Sequence, residues 1–252
     1  MTGFVLFTVP LMPLQAMLLV LNRHWARAFP HWYHRNVCRI LGLRLDIAGS
    51  VTRDRPVLVV ANHASWLDIV VISAVAPVSF IAKQEVSRWP FVSTLAKLQR
   101  TVFVDRGRRI QVGETADEIT ARLAAGDAIV LFAEGTSSDG NRVLAFKTSL
   151  FAAVKPSANG AAKETAAVVQ TLTVAYTRQN GMPLGWAGRR GLGYYGDVAM
   201  GSNAWSVLTG GPLHACVRVG EPIPLDRFKD RKELAQWAEQ AMRAEFVATL
   251  RG

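Results

Sequence analysis

The sequence predicts an α/β fold, with a central, mostly parallel sheet flanked by helices and preceded by an N-terminal membrane-associated helical segment. Three observations carry that expectation. Beyond residue 45, short Val-rich apolar runs alternate with stretches of helical periodicity. Residues 1 to 21 contain no charged side chain. The chain of 252 residues is half hydrophobic (50%) and carries a formal net charge of +10, which excludes a disordered polymer and disfavours an ordinary acidic cytosolic enzyme.

The N-terminal run from Met1 to Leu21 matches the roughly 20 apolar residues needed to cross a bilayer. It ends in Asn22-Arg23-His24-Trp25, with Trp32 and Tyr33 close behind, a pattern typical of the membrane interface. Residues 1 to 55 hold seven arginines against Asp46 and Asp54, half of the chain's excess charge. A basic block beside an apolar run points to an anionic membrane surface, with no nucleic acid as partner. Pro10 and Pro13 interrupt the run, so a segment that dips into one leaflet competes with a straight spanning helix, and a buried core helix is the plainer alternative. No basic residue precedes the run and no small-x-small pattern closes it, which disfavours a cleaved signal peptide. Arginines directly after the run place the downstream chain on the cytoplasmic side, so the expected location is the inner membrane with a cytoplasmic catalytic domain. The organisation expected is therefore a membrane-anchoring segment over 1–45 and one α/β domain over 46–252.

Within that domain, Pro56 to Ala61 is a short continuous apolar run and reads as a buried strand. Comparable runs follow at Val78 to Ala82, Thr101 to Val104, Ala128 to Phe132, Val168 to Tyr176 and His214 to Val219. Between them, Val112, Ala116, Ile119 and Leu123 recur at helical spacing, and Gly126 stands where a helix commonly ends. From Lys232 to Leu250 the residues Leu234, Trp237, Ala241 and Ala248 form an apolar stripe, so an amphipathic helix closes the chain. Cys38 and Cys216 are too few for a disulfide scaffold and too far apart for a metal knuckle, and read as reduced, buried thiols.

Two segments that follow apolar strands could carry chemistry, because ligands collect at the carboxyl ends of strands in such sheets. The first is Asn62-His63-Ala64-Ser65-Trp66-Leu67-Asp68. A His there suits a general base near neutrality, and a carboxylate at Asp68 could accept its Nδ1 hydrogen and leave Nε2 free. Positions five apart diverge on a regular helix, so the two can meet only if His63 lies in the turn and Asp68 in the first helical turn. Ser65 and Asp68 also fit a capping box, and both roles can coexist. The second segment runs from Phe132 through Glu134, Gly135, Thr136 and Ser137 to Gly140, followed by Arg142 and Lys147. Its hydroxyls and cations could hold a polar or anionic group, although polar loops commonly have this composition. The Val104-Asp105-Arg106 step is a third candidate, for which a solvated ion pair is the ordinary alternative. The patterns G-x-S-x-G, H-E-x-x-H and the phosphate-binding loop G-x-x-x-x-G-K-[ST] are absent, and His24, His31, His34, His63 and His214 offer no metal-ligand set.

In their order, NHASWLD, TVFVDR and EGTSSDG resemble the 1-acylglycerol-3-phosphate acyltransferase family of membrane glycerolipid acyltransferases. The resemblance implies that His63 and Asp68 are the catalytic pair. It implies that Arg106 contacts the acceptor and that Glu134, Gly135 and Thr136 belong to acceptor binding, beside Asn62, Ser65, Ser137, Arg142 and Lys147. The implied reaction is transfer of a fatty acyl group from acyl carrier protein or acyl-CoA to the free hydroxyl of a lysolipid. No cofactor and no metal are implied. Backbone N–H groups at the helix start after His63 would then stabilise the oxyanion. Ala133 replaces a usual Pro, and Ser137 stands where lysophosphatidate-using members carry Arg. The continuation SDGNRVL with Phe146-Lys147 resembles the branch that acylates lyso-ornithine lipid. Because Arg106, Arg142 and Lys147 could still hold a phosphate, lysophosphatidate is the first expected acceptor and lyso-ornithine lipid the second. A catalytically silent lipid-binding protein is the alternative of another class.

Overall fold

The computed structural model describes residues 2–104, 109–153, 167–196 and 198–251, without the side chains of 109–116 and 153. Two helices open the chain, α1 (Thr2–Leu21) and α2 (Arg23–Ile40), joined at Asn22, whose side-chain oxygen accepts the amides of His24 and Trp25 and so starts α2. Pro10 and Pro13 do not end α1. They remove two intrahelical donors, and the carbonyls that lose them belong to Leu6 and Val9, residues on the exposed face. The inner face of α1 is pinned by polar contacts. The Thr8 hydroxyl lies 2.8 Å from that of Tyr33, and Gln15 Nε2 donates to the carbonyls of Ala26 and Leu98. Val5, Leu6, Val9, Leu14, Met17, Val20 and Leu21 remain exposed, and α1 is long and apolar enough to cross a membrane.

The sheet contains β1 (Leu43–Ala48), β2 (Val57–Ala61), β3 (Val78–Lys83), β4 (Val102–Val104), β5 (Ala128–Phe132), β6 (Val168–Gln179), β7 (Met182–Pro183), β8 (Leu213–Val219) and β9 (Ile223–Pro224). Its order is β1-β8-β6-β2-β5-β3-β4, with the short β7 and β9 also pairing with β6. All pairs are parallel except those of β6 with β8, β7 and β9, so the sheet is mixed and mostly parallel. The strand β1 runs across residues 45 and 46, where composition places the junction between anchor and domain. Its LRLDIA text alternates polar and apolar residues, as suits a strand at the sheet edge with one face exposed.

The remaining helices are α3 (Leu67–Val75), α4 (Val92–Leu98), α5 (Arg109–Ala124), α6 (Trp186–Leu192), α7 (Met200–Thr209) and α8 (Arg231–Arg251). Alternate side chains of β2 serve two cores. Val57, Val59 and Ala61 face the layer that includes α2 and α3, whereas Leu58 and Val60 face Ile119 of α5 and Leu234 and Met242 of α8. The buried stripe of α8 is Leu234, Ala235, Ala238, Met242 and Phe246. That corrects the stripe read from sequence, since Trp237 and Ala241 flank it and Ala248 is exposed. Both cysteines are buried and free, and burial pushes the Cys38 thiol up to about 12.

Candidate active site

Strand register brings the two motif segments together. Ala61 at the end of β2 pairs with Phe132 at the end of β5 on one side and with Leu172 of β6 on the other. The residues that follow these strands therefore emerge side by side at the carboxyl edge of the sheet. Asn62 extends β2 by one step. Its amide donates to the carbonyl of Val174 and accepts the Val174 N–H, at 2.9 and 2.8 Å, which fixes where the chain turns away toward His63.

Asp68 is the second residue of α3 and is 1% exposed. Its Oδ2 accepts from His63 Nδ1 at 2.9 Å, and from the backbone N–H groups of Ala64 and Ser65 at 2.7 and 2.9 Å. Its Oδ1 accepts from the Tyr176 hydroxyl at 2.7 Å. Four hydrogen bonds thus compensate the burial of one carboxyl group. Burial, reinforced by the neighbouring Asp68, raises the Tyr176 hydroxyl well above its ordinary value, so it stays a donor. The His–Asp contact coexists with one half of the capping box, the Asp68 bond to the Ser65 N–H, because a turn at 62–66 followed at once by a helix lets one oxygen meet the imidazole and two amides. Ser65 is fully buried, with its hydroxyl accepting the Leu67 N–H at 3.4 Å. The amides of Ala64 and Ser65 are committed to Asp68, so neither is among the N–H groups that could face an oxyanion.

With Nδ1 donating to Asp68, the other imidazole nitrogen is free to accept a proton. The ring stacks on Phe132 at a centroid distance of 4.1 Å. The main chain of His63 is held as firmly as its ring. Its N–H donates to Glu134 Oε1 at 2.8 Å, and its carbonyl accepts the Ser138 N–H at 2.7 Å. Glu134 Oε2 accepts the Leu144 N–H at 2.8 Å, so this side chain is turned inward and bridges the His63 turn to its own loop. Burial pushes its carboxyl up to about 7. Gly135 has φ +68°, a backbone region that favours Gly, as the chain reverses after β5.

An apolar cavity of about 860 Å³ opens at His63 and runs between α1 and α2 on one side and α3 and α4 on the other. Phe4, Leu11 and Met12 of α1 and Phe29, Tyr33 and Val37 of α2 line it, so the N-terminal hairpin is part of the site. Gly135, Thr136 and Ser137 also reach it, whereas Arg142 and Lys147 are exposed and do not line it. Asp105 and Arg106 lie outside the described residues. Among the described residues, Lys83 and Glu85 are the Lys, Arg, Asp or Glu side chains that line it. No group of His, Cys, Asp and Glu among the described residues could hold a metal ion.

Tyr176 was not readable as a site residue. A Tyr inside an apolar strand does signal a buried hydroxyl that needs a partner, but nothing local names that partner. The same holds for Trp66, whose indole N–H donates to Asn203 of α7 at 3.1 Å and ties α7 to the start of α3.

Comparison with known proteins gives concordant matches. The Acyltransferase family model matches residues 44–173. A lyso-ornithine lipid O-acyltransferase of Brucella abortus is 44% identical over 250 residues, covering 99% of this chain and 93% of that protein. One of Rhizobium meliloti is 41% identical, over 98% of this chain and 85% of that protein. Among solved structures, the 1-acyl-sn-glycerophosphate acyltransferase of Thermotoga maritima superposes with a TM-score of 0.65 at 24% identity, over 98% of this chain and 88% of the other, a likeness of fold.

Proposed function

Because this chain belongs to the acyltransferase family, we propose that it is a membrane-associated O-acyltransferase that moves a fatty acyl group from an acyl thioester to the free hydroxyl of lyso-ornithine lipid. The observation that carries the chemistry is the His63–Asp68 contact at the mouth of an apolar cavity. In this reaction Asp68 holds the Nδ1 hydrogen of His63, and Nε2 takes the proton of the acceptor hydroxyl as its oxygen attacks the thioester carbonyl carbon. The carbon–sulfur bond then breaks, and the proton returns from His63 to the departing sulfur. No covalent acyl-enzyme is needed, and no step calls for a metal or cofactor.

Three observations favour lyso-ornithine lipid over lysophosphatidate and reverse the order expected from sequence. The Brucella and Rhizobium relatives bear that activity in their names. Ser137 lines the cavity where an Arg would supply a phosphate partner, and Arg142 and Lys147 stay outside it. Lys83 and Glu85 put one charge of each sign in the lining, which matches an amino-acid head group with a carboxylate and an ammonium better than a phosphomonoester dianion. The acyl donor is acyl carrier protein or acyl-CoA. Both are anionic and suit a chain of net charge +10. The exposed apolar face of α1 supports attachment to the inner membrane, with the α/β domain on the cytoplasmic side.

The test is an acceptor panel. Membranes containing the protein are given one labelled acyl donor with either lyso-ornithine lipid or lysophosphatidate, with His63→Ala as control. Faster labelling of lyso-ornithine lipid, lost in the variant, is the expected result. A preference for lysophosphatidate would restore the other acceptor, and transfer that survives His63→Ala would remove the dyad.

A further inference from the structure

At the end of the sheet away from His63, a pocket of about 130 Å³ lies where α2 meets the starts of β2, β3 and β5. Its charged lining is Arg27, Arg53, Arg55, Arg100 and Asp127. Asp127 is 4% exposed, and three guanidinium groups converge on its carboxylate. Arg27 Nε lies 2.8 Å from Oδ1, Arg100 Nη2 lies 2.6 Å from Oδ2, and Arg122 Nε lies 3.1 Å from Oδ2. The Arg27 contact is close but misaligned, which leaves its buried Nε without a hydrogen bond. Arg122 spends its other nitrogens on the carbonyl of Arg100 and the hydroxyl of Ser79, and comes within 3.9 Å of the exposed Glu118. Arg55 lies 3.5 Å from the exposed Asp54, and Arg53 makes no ion pair among the described residues.

Positive charge is therefore in excess around the pocket, with Arg53 exposed and the Arg27 and Arg55 side chains 33% and 37% exposed, and the pocket's one buried carboxylate is already shared three ways. Such an excess attracts an anion, most strongly at the half-buried guanidinium groups that water screens least. The guanidinium of Arg122 registers it, lowered by burial and by the charge of Arg100.

We propose that this pocket binds a phosphate group, either as the free ion or as the headgroup of an anionic phospholipid, held by Arg27 of α2 and by Arg53 and Arg55 of the β1–β2 connection. Guanidinium forks match phosphate oxygens in pairs, and the exposed Arg53 makes no hydrogen bond to the protein among the described residues. The pocket has room for a headgroup phosphate and not for a whole lipid, so a lipid would enter by its head. The bound anion would bridge the N-terminal hairpin to the loop that feeds β2, the strand that ends at His63.

The test uses the full chain in detergent and on vesicles. Melting is followed in sodium phosphate against sodium chloride of equal ionic strength, and flotation is compared on phosphatidylcholine vesicles with and without phosphatidylglycerol. Arg53→Gln with Arg55→Gln removes two charges at the pocket. Arg231→Gln with Arg251→Gln removes two exposed charges on α8 and is the control. A free-ion site predicts stabilisation by phosphate whose apparent affinity falls at least fivefold in the pocket variant and is kept in the control. A headgroup site predicts that the phosphatidylglycerol-dependent gain in flotation falls at least fivefold in the pocket variant and is kept in the control. The inference is overturned if the wild type responds to neither ligand, or if the control variant loses as much as the pocket variant, which would reduce the effect to net charge.

Discussion

Asp68 and Asp127 are two carboxylates withdrawn from water at opposite ends of one sheet, and they differ in what surrounds them. Asp68 is met by an imidazole, a phenol and two backbone amides. Asp127 is met by three guanidinium groups. With uncharged neighbours, Asp68 keeps its field for the one ring that can gain a proton, as a group that orients a base should. With three permanent cations, Asp127 has its charge cancelled several times over and acts as a structural knot. Burial is alike, so the protonation chemistry of the partners separates a site from a scaffold.

The sharpest test of this contrast is His63→Ala, expected to lower acyl transfer by roughly 10²- to 10⁴-fold while the fold is retained at a stability cost of only about 1 kcal/mol. Asp127→Asn should do the opposite. It leaves guanidinium groups uncompensated and should cost about 3 kcal/mol of stability in denaturant titration, with turnover per folded molecule retained. If Asp127→Asn instead silenced folded protein, the two ends of the sheet would be coupled and the division of labour would fail. Tyr176→Phe removes one of the four bonds to Asp68. It should lower transfer by less than about tenfold and stability by about 1 kcal/mol, measured on the same preparation.

The smallest expected effect is a slope with pH. The Glu134 carboxyl is raised to about 7 from an ordinary value of 4.5, so the folded chain binds its proton more tightly than the unfolded chain does. Its contribution to stability is fully present below about pH 4.5 and is lost as pH rises through 7. In Glu134→Gln that part of the fall in unfolding free energy between these pH values should vanish. An unchanged slope would assign it to other groups.

The strands were legible because buried parallel strands are written as continuous apolar runs, and the His63–Asp68 pair because its members are five residues apart across a strand end and a helix start. The illegible features depend on long-range pairing. Tyr176 reaches Asp68 only because β6 lies beside β2, a choice of neighbour that no local pattern encodes. Asn62 and Glu134 carry family signature positions, yet their side chains are engaged with the main chain of Val174, His63 and Leu144. A motif residue can thus be required because it shapes the loop that carries the proposed base. The antiparallel β6–β8 pairing was equally hidden, since a strand buried on both faces reads alike in either direction.

The joint between α2 and β1 is two residues long, Leu41 and Gly42, with Gly42 at φ +67° and its carbonyl accepting the Leu213 N–H. A joint that short and bonded leaves no slack. The hairpin cannot swivel independently of the sheet, so under the proposed membrane attachment any tilt of α1 is passed on to the cavity. On that proposal, depth and tilt of the site in a bilayer are built into covalent geometry. Lengthening this joint by a few residues would act as a gimbal, uncoupling the orientation of the sheet from that of the hairpin.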